Sequence, residues 1–291
     1  MTSPISDVVL GLPSPVAELA DDRARAAGVR VLLKRDDLIH PDLPGNKWRK
    51  LKHNLAAAAS RGSGTLLTFG GAYSKQLLAT AAAGHHFGFA TVGVVRGEEH
   101  LPLNPILARA AELGMTITYV DRTRYRNRTD PAFLRRLRRE FGSFFVIPAG
   151  GANADGVRGC AELPAEITEP YDVICCASGT GTTLAGIAAG LPVGRTAIGF
   201  SALKGEFLAR DVAALQRAYG RATANWTVQT EFHFGGFAHR TAELDAFAED
   251  FRERHEIDLD PVYEAKMMAG IMALLGRGRW RPGTTLVAVL G

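Results

Sequence analysis

The run Gly45-Asn46-Lys47-Trp48-Arg49-Lys50-Leu51 places a lysine where a segment punctuated by proline and glycine turns into an amphipathic helix. An ammonium in the first turn of a helix lies against the positive end of the helix dipole, and Arg49, Lys50 and Lys52 add positive charge nearby. Both effects favour the neutral amine at Lys47. A lysine that is neutral part of the time can attack an aldehyde, which is the chemistry of Schiff-base lysines. A solvated basic helix start fits the same residues, so the choice rests on the other segments.

Ser178-Gly179-Thr180-Gly181-Thr182-Thr183 follows an apolar stretch and opens a helix. Backbone N–H groups and three threonine hydroxyls can there converge on one anion, as in a phosphate cup. The run lacks the lysine of a P-loop, and Leu184 stands where a dinucleotide fingerprint needs its third glycine, so a lone phosphate monoester fits better than a nucleotide. An ordinary tight turn is the plainer alternative. Gly70-Gly71-Ala72-Tyr73-Ser74-Lys75-Gln76 is a second glycine-led turn, with Ser74 and Gln76 beside a helix start that favours a carboxylate or simply caps the helix. Asp260-Pro261-Val262-Tyr263-Glu264 opens another helix, where an acidic residue ordinarily serves the dipole. The eight histidines form no HExxH pair, no Cys/His set has zinc-ligand spacing, and Ser178 is outside any GxSxG elbow.

Each such turn needs a strand behind it and a helix ahead, and the hydrophobic pattern supplies both. After an extended, proline-punctuated segment and a short helix, residues 29–34 alternate like a strand, and Trp48, Leu51, Leu55 and Ala58 recur at helical spacing until Gly62 and Gly64. Strands are then expected at 65–69, 90–95, 115–120, 144–147, 172–177, 196–200 and 285–290. Helices are expected at 73–86, 103–113, from 153 to 168, 183–190, 204–218, 240–255 and 263–275. Such alternation argues for parallel α/β units. The arginine-rich run 121–140 is interrupted by Asp121, Asp130 and Glu140, and Phe133, Leu134 and Leu137 give it an apolar face. It reads as a solvated helix face rather than a nucleic-acid reader.

The chain has 291 residues, 46% hydrophobic and 22% charged, with a net charge of +4, which is ordinary for a globular protein and excludes a disordered one. Cys160, Cys175 and Cys176 form no CxxC pair and are odd in number, which suits a reducing compartment. Met1 to Asp7 carry no basic leader pattern, and no stretch of about 18 apolar residues follows. A cytoplasmic protein is expected, with no membrane or nucleic-acid partner.

Taken together and in order, Lys34-Arg35-Asp36-Asp37, the Lys47 run, Gly70 to Gln76, Ser178 to Thr183 and Asp260 to Glu264 resemble the 1-aminocyclopropane-1-carboxylate deaminase and D-cysteine desulfhydrase family. This family belongs to the pyridoxal-phosphate enzymes of the tryptophan-synthase β-subunit type. The resemblance implies an α/β fold with two open, twisted, mostly parallel sheets flanked by helices. A smaller domain, residues 50–147, is inserted in a larger one made of 1–49 and 148–291. It implies pyridoxal 5'-phosphate as cofactor, a small amino acid as substrate and a homodimer. Lys47 is then similar to the Schiff-base lysine and general base. Ser178, Gly179, Thr180, Gly181, Thr182 and Thr183 resemble the phosphate cup, and Glu264 the partner of the pyridine nitrogen. Ser74 and Gln76 look like the substrate-carboxylate site, and Tyr263 like the family tyrosine beside the cofactor, with Lys47, Ser74 and Tyr263 as the catalytic set.

The chain departs from the family at Lys75, where relatives usually carry asparagine, and at Phe237, where they usually carry tyrosine. It also stops at Gly291, where relatives continue past a histidine-containing glycine motif, so part of the cofactor wall is expected to be missing. D-cysteine has an α-hydrogen that Lys47 can remove, whereas the cyclopropane substrate has none and needs a further helper group that Phe237 does not offer. The sequence therefore points to β-elimination from D-cysteine. Ring-opening deamination and a degenerate cofactor-binding protein with little turnover are the alternatives.

Overall fold

The computed structural model describes residues 8–43 and 45–291; residues 1–7, on which the reading of a missing leader falls, and Pro44 in the loop before Lys47 lie outside the described residues. A short strand β1 (Val16–Glu18) and helix α1 (Asp22–Ala26) lead to β2 (Arg30–Arg35) and then α2 (Asn46–Ser60). Next come β3 (Thr65–Gly71), α3 (Lys75–Phe87), β4 (Ala90–Arg96), α4 (Pro105–Glu112), β5 (Met115–Val120), α5 (Arg122–Arg126), α6 (Pro131–Phe141) and β6 (Phe145–Ile147). The chain continues through α7 (Ala154–Ala161), β7 (Val173–Ser178), α8 (Thr182–Gly190), β8 (Thr196–Ser201) and α9 (Phe207–Tyr219). It closes with β9 (Trp226–Gln229), α10 (Ala242–His255), α11 (Glu264–Gly276) and β10 (Thr285–Leu290).

These strands make two sheets, one of six strands in the order β1-β2-β10-β7-β8-β9 and one of four in the order β5-β4-β3-β6. Every pairing is parallel except that of β1 with β2. β10 lies between β2 and β7, and its residues Leu286 to Leu290 are all buried. That position explains its unbroken apolar run, because a central parallel strand is covered on both faces. All strands of the smaller sheet fall in the chain between β2 and β7.

Helix α2 touches both halves. Its Trp48, Leu51, Leu55 and Ala58 join one apolar cluster with Leu66 of β3 and Leu77, Ala81 and Phe87 of α3. Its opposite side meets α7 so closely that a Cβ at Gly159 would lie 1.8 Å from the Arg49 carbonyl oxygen, so only glycine fits there.

Two expectations are corrected. The helix expected from 153 to 168 ends at Ala161, and a 3-10 turn, Leu163–Glu166, follows, because Pro164 has no N–H to continue the ladder. The short strands β1 and β9 were not expected; both are at sheet edges, and β1 follows Pro13 and Pro15. The basic run forms α5 and α6, with Leu137 buried and Arg128, Arg136 and Arg138 stacked over Tyr125, Phe133 and Phe144. Among the described residues no helix is long and apolar enough to cross a membrane.

Candidate active site

Lys47 is the second residue of α2, which starts at Asn46 after Gly45 adopts φ +56°, a backbone conformation that favours glycine. Its Nζ donates to Asn46 Oδ1 at 2.7 Å, and Asn46 Nδ2 donates to the Gly291 carbonyl. The Lys47 amine is lowered to about 7, first by burial and then by the positive charges of Lys50 and Lys75, against the pull of Asp260 and Glu264.

Two of the charges expected to act on Lys47 are used elsewhere, which corrects the local reading. Lys52 pairs with Glu162 at 2.5 Å. Arg49, 2% exposed, bridges Asp36 at 2.6 Å and Glu166 at 2.8 Å. Lys34 also reaches Glu166, at 2.9 Å. Burial alone would raise the Glu166 carboxyl, but hydrogen bonds and charge from Arg49 and Lys34 overcome it and hold the group at about 2. Lys34 and Asp36 therefore clamp the start of α2 through buried ion pairs, while Arg35 closes locally on Asp37 at 2.7 Å.

The turn from β7 to α8 holds Ser178, Thr182 and Thr183, all buried. Gly181 takes φ +82° as the cap of α8 and supplies no side chain to the first amides of that helix. Thr180 Oγ1 and Thr182 Oγ1 are 3.0 Å apart. The glycine loop after β6 closes one side: a Cβ at Gly150 would meet Thr180 at 2.7 Å, and one at Gly151 would meet the stem of Lys50 at 2.9 Å. Lys50 is only 7% exposed, and its Nζ makes no hydrogen bond or ion pair with another described residue. Burial lowers its amine, with the thiols of Cys160 and Cys176 acting weakly the other way. A buried cation without a partner is costly, and an anion in the adjoining cup would relieve that cost.

Glu264 opens α11 and is buried; its Oε2 accepts from the Asp260 amide at 2.8 Å and its Oε1 from the Gly291 amide. Burial raises its carboxyl in spite of these two bonds. The Tyr263 ring lies over the cup, 3.1 Å from where a Cβ at Gly179 would be, and burial pushes its hydroxyl up to about 12. Phe237 approaches the same ring edge-on at 6.2 Å.

Ser74 caps α3 but makes no side-chain bond to the helix, so its hydroxyl and the first amides of α3 face the turn without a side-chain partner. Gln76 is buried, donates Nε2 to Thr80 Oγ1 at 3.3 Å, and leaves Oε1 unpartnered among the described residues. Lys75, between them, reaches Asp260 at 2.5 Å. Asp260 in turn accepts from the amides of Val262 and Tyr263, at 2.9 and 2.8 Å, so one acidic side chain links α3 to the turn bearing Tyr263 and Glu264.

The sequence reading gave Lys50 no part beyond its charge on Lys47, and gave Asp260, Asn46 and the Gly150-Gly151 loop no part in the site. Lys50 carried a usable signal, since residues three apart share a helix face and Lys47 and Lys50 therefore point together. Asp260 carried none, because its partner Lys75 is far away in the chain.

A family model described as pyridoxal-phosphate dependent enzyme matches residues 11–291. A putative 1-aminocyclopropane-1-carboxylate deaminase of Pyrococcus horikoshii is 28% identical over 267 residues, covering 88% of this chain and 82% of that protein. A D-cysteine desulfhydrase of Klebsiella pneumoniae is 27% identical over 296 residues, covering 94% and 89%. The crystal structure of an ACC deaminase homologue superposes with a TM-score of 0.84 at 26% identity, covering 97% of this chain and 90% of that one. The chain belongs to the family of pyridoxal-phosphate dependent enzymes.

Proposed function

We propose, with that membership as premise, that the protein is a lyase acting on D-cysteine or a related β-substituted amino acid and releasing keto acid, ammonia and sulfide. The observation that carries the reading is a lysine amine brought to about 7 beside a buried glutamate and a largely buried, hydroxyl-lined cup. The residues fit the family cofactor. The cup from Ser178 to Thr183, with Lys50, would hold its phosphate, Lys47 its aldehyde carbon, Tyr263 one face and Glu264 its ring nitrogen. Bound there, the cofactor supplies an electron sink for the charge left at the substrate Cα when its proton departs.

The protein's own groups do the rest. Ser74 Oγ and the first amides of α3 hold the substrate carboxylate, with the helix dipole in favour. Gln76 keeps one N–H of Nε2 and its Oε1 for the substrate, whose carboxylate can accept from the first. Lys47 Nζ takes the Cα proton, and an amine near 7 is both available and basic enough at neutral pH. The carbon–sulfur bond then breaks with its electron pair leaving on sulfur. Tyr263, held protonated, walls the site.

Ring-opening deamination is the second reading, favoured by the names of the Pyrococcus relatives. It needs a helper hydroxyl, and Phe237 brings only carbon to the edge of Tyr263. Ammonia and keto acid measured from D-cysteine and from 1-aminocyclopropane-1-carboxylate at matched concentration decide between them. Faster release from the cyclopropane overturns the choice, and no release from any amino acid favours a cofactor-binding protein with little turnover.

Sheet topology supports an inserted smaller domain, residues 50–147, within a larger one of 1–49 and 148–291. Three buried free cysteines support a reducing compartment, and we read the protein as cytoplasmic. A homodimer without nucleic-acid or membrane partners completes the reading, and light scattering on the purified protein tests the dimer.

A further inference from the structure

We propose that His40, Asp42 and His86 form a binding site for one divalent transition-metal ion of the zinc, cobalt or nickel type, outside the candidate active site. His40 and Asp42 lie on the loop that runs into Lys47, and His86 is the penultimate residue of α3. Each offers one ligand atom, and the three atoms lie within 4.8 Å of one another. His86 Nε2 is 3.1 Å from Asp42 Oδ2. Ligands of a tetrahedral zinc bound at roughly 2.0 to 2.1 Å stand about 3.3 Å apart, so this pair already has the spacing of a shared ion. The His40 ring stands edge-on to that of His86, with centroids 4.9 Å apart, so it lines the third side.

The surroundings favour a cation. His86 is at the C-terminal end of a 13-residue helix, where the dipole is negative. A water can take the fourth position, as at zinc sites that keep one open. Two imidazoles and one carboxylate select borderline ions over calcium or magnesium, which prefer oxygen.

Two contacts oppose binding. Arg109 Nη2 is 3.7 Å from Asp42 Oδ1, but the same guanidinium has Glu112 at 3.2 Å to retreat to. His40 Nδ1 accepts from the Asp42 amide at 3.1 Å. A ring ligating through Nε2 would carry its proton on Nδ1, facing that amide, so His40 ligates through Nδ1 and releases it. The ion would tie the loop before Lys47 to the helix whose other end carries Ser74.

Calorimetric titration of Zn²⁺ into chelator-treated, cofactor-loaded protein tests this, with Co²⁺ absorption reporting the geometry. One equivalent per chain is expected, with affinity reduced tenfold or more in His86→Gln and in Asp42→Asn. The exposed control His239→Ala should bind as the parent does. Zn²⁺ should raise the melting temperature of the parent and not of His86→Gln; should that variant fail to fold, His40→Gln replaces it. Uptake that persists unchanged in the ligand variants overturns the site, and so does no uptake by the parent, which would leave the cluster a hydrogen-bonded latch.

Discussion

Two turns of the molecule share one grammar, a strand, a glycine-led bend and a helix whose first amides have no side-chain cap, yet they differ in burial. At the β7–α8 turn Ser178, Thr182 and Thr183 are sealed, Tyr263 lies over Gly179, and the unpartnered Lys50 lies alongside. At the β3–α3 turn Tyr73 is 76% exposed and the half-exposed Lys75 pairs with Asp260. A sealed anion site suits a group that stays, because its donors are desolvated once and strengthen every bond they make. An open one suits a group that arrives and leaves. Burial, not the local motif, separates the two turns, which is why we propose the first as the cofactor cup and the second as the substrate clamp.

The variant with the largest expected effect removes what both turns serve. Lys47→Ala should cut elimination by about a hundredfold or more, read by sulfide release, and borohydride should no longer fix the cofactor to the peptide containing residue 47. Next, Thr182→Val should loosen cofactor retention by roughly tenfold to a hundredfold, the worth of one charge-assisted hydrogen bond of about 1.5 to 3 kcal/mol. Dialysis followed by absorbance measures it. Ser74→Ala should leave retention alone and raise KM about tenfold, the lower end of what one hydrogen bond to a charged group is worth. If Ser74→Ala shed cofactor as Thr182→Val does, the contrast between the turns would collapse.

The smallest effect carries a sign. Cofactor capture by the unloaded protein needs the neutral Lys47 amine, so its rate should rise as pH passes through about 7. Lys75→Gln removes a cation that lowers Lys47 and should move that rise to higher pH; Asp260→Asn removes an anion that raises it and should move the rise to lower pH. Shifts in the same direction would show that the Lys75–Asp260 pair acts through geometry rather than charge.

What the sequence disclosed follows the same division between local and distant. β5 and β10 have the bounds read from their apolar runs, and the turn between β7 and α8 was legible because a strand, two glycines and three threonines follow one another. Charge was misjudged where its partner is remote. Arg49 and Lys52 look like neighbours that repel Lys47, but Glu166 and Glu162 claim them from more than a hundred residues away. Asp260 looks like a dipole-favoured acid and instead receives Lys75. Patterns of spacing reveal strands, helices and turns; they do not reveal which charge a fold will bring opposite another.

The contact between Gly159 and the Arg49 carbonyl limits how this chain can vary by inheritance. Every single-nucleotide change that replaces a glycine codon with another amino acid adds at least one carbon. At this position that carbon would fall 1.8 Å from an oxygen of the helix that begins with Lys47. No neighbouring genotype offers a gentle step, since the smallest alternative must push α7 and α2 apart. A substitution at Gly159 would therefore reach the lysine through the helix that carries it, without touching any catalytic side chain.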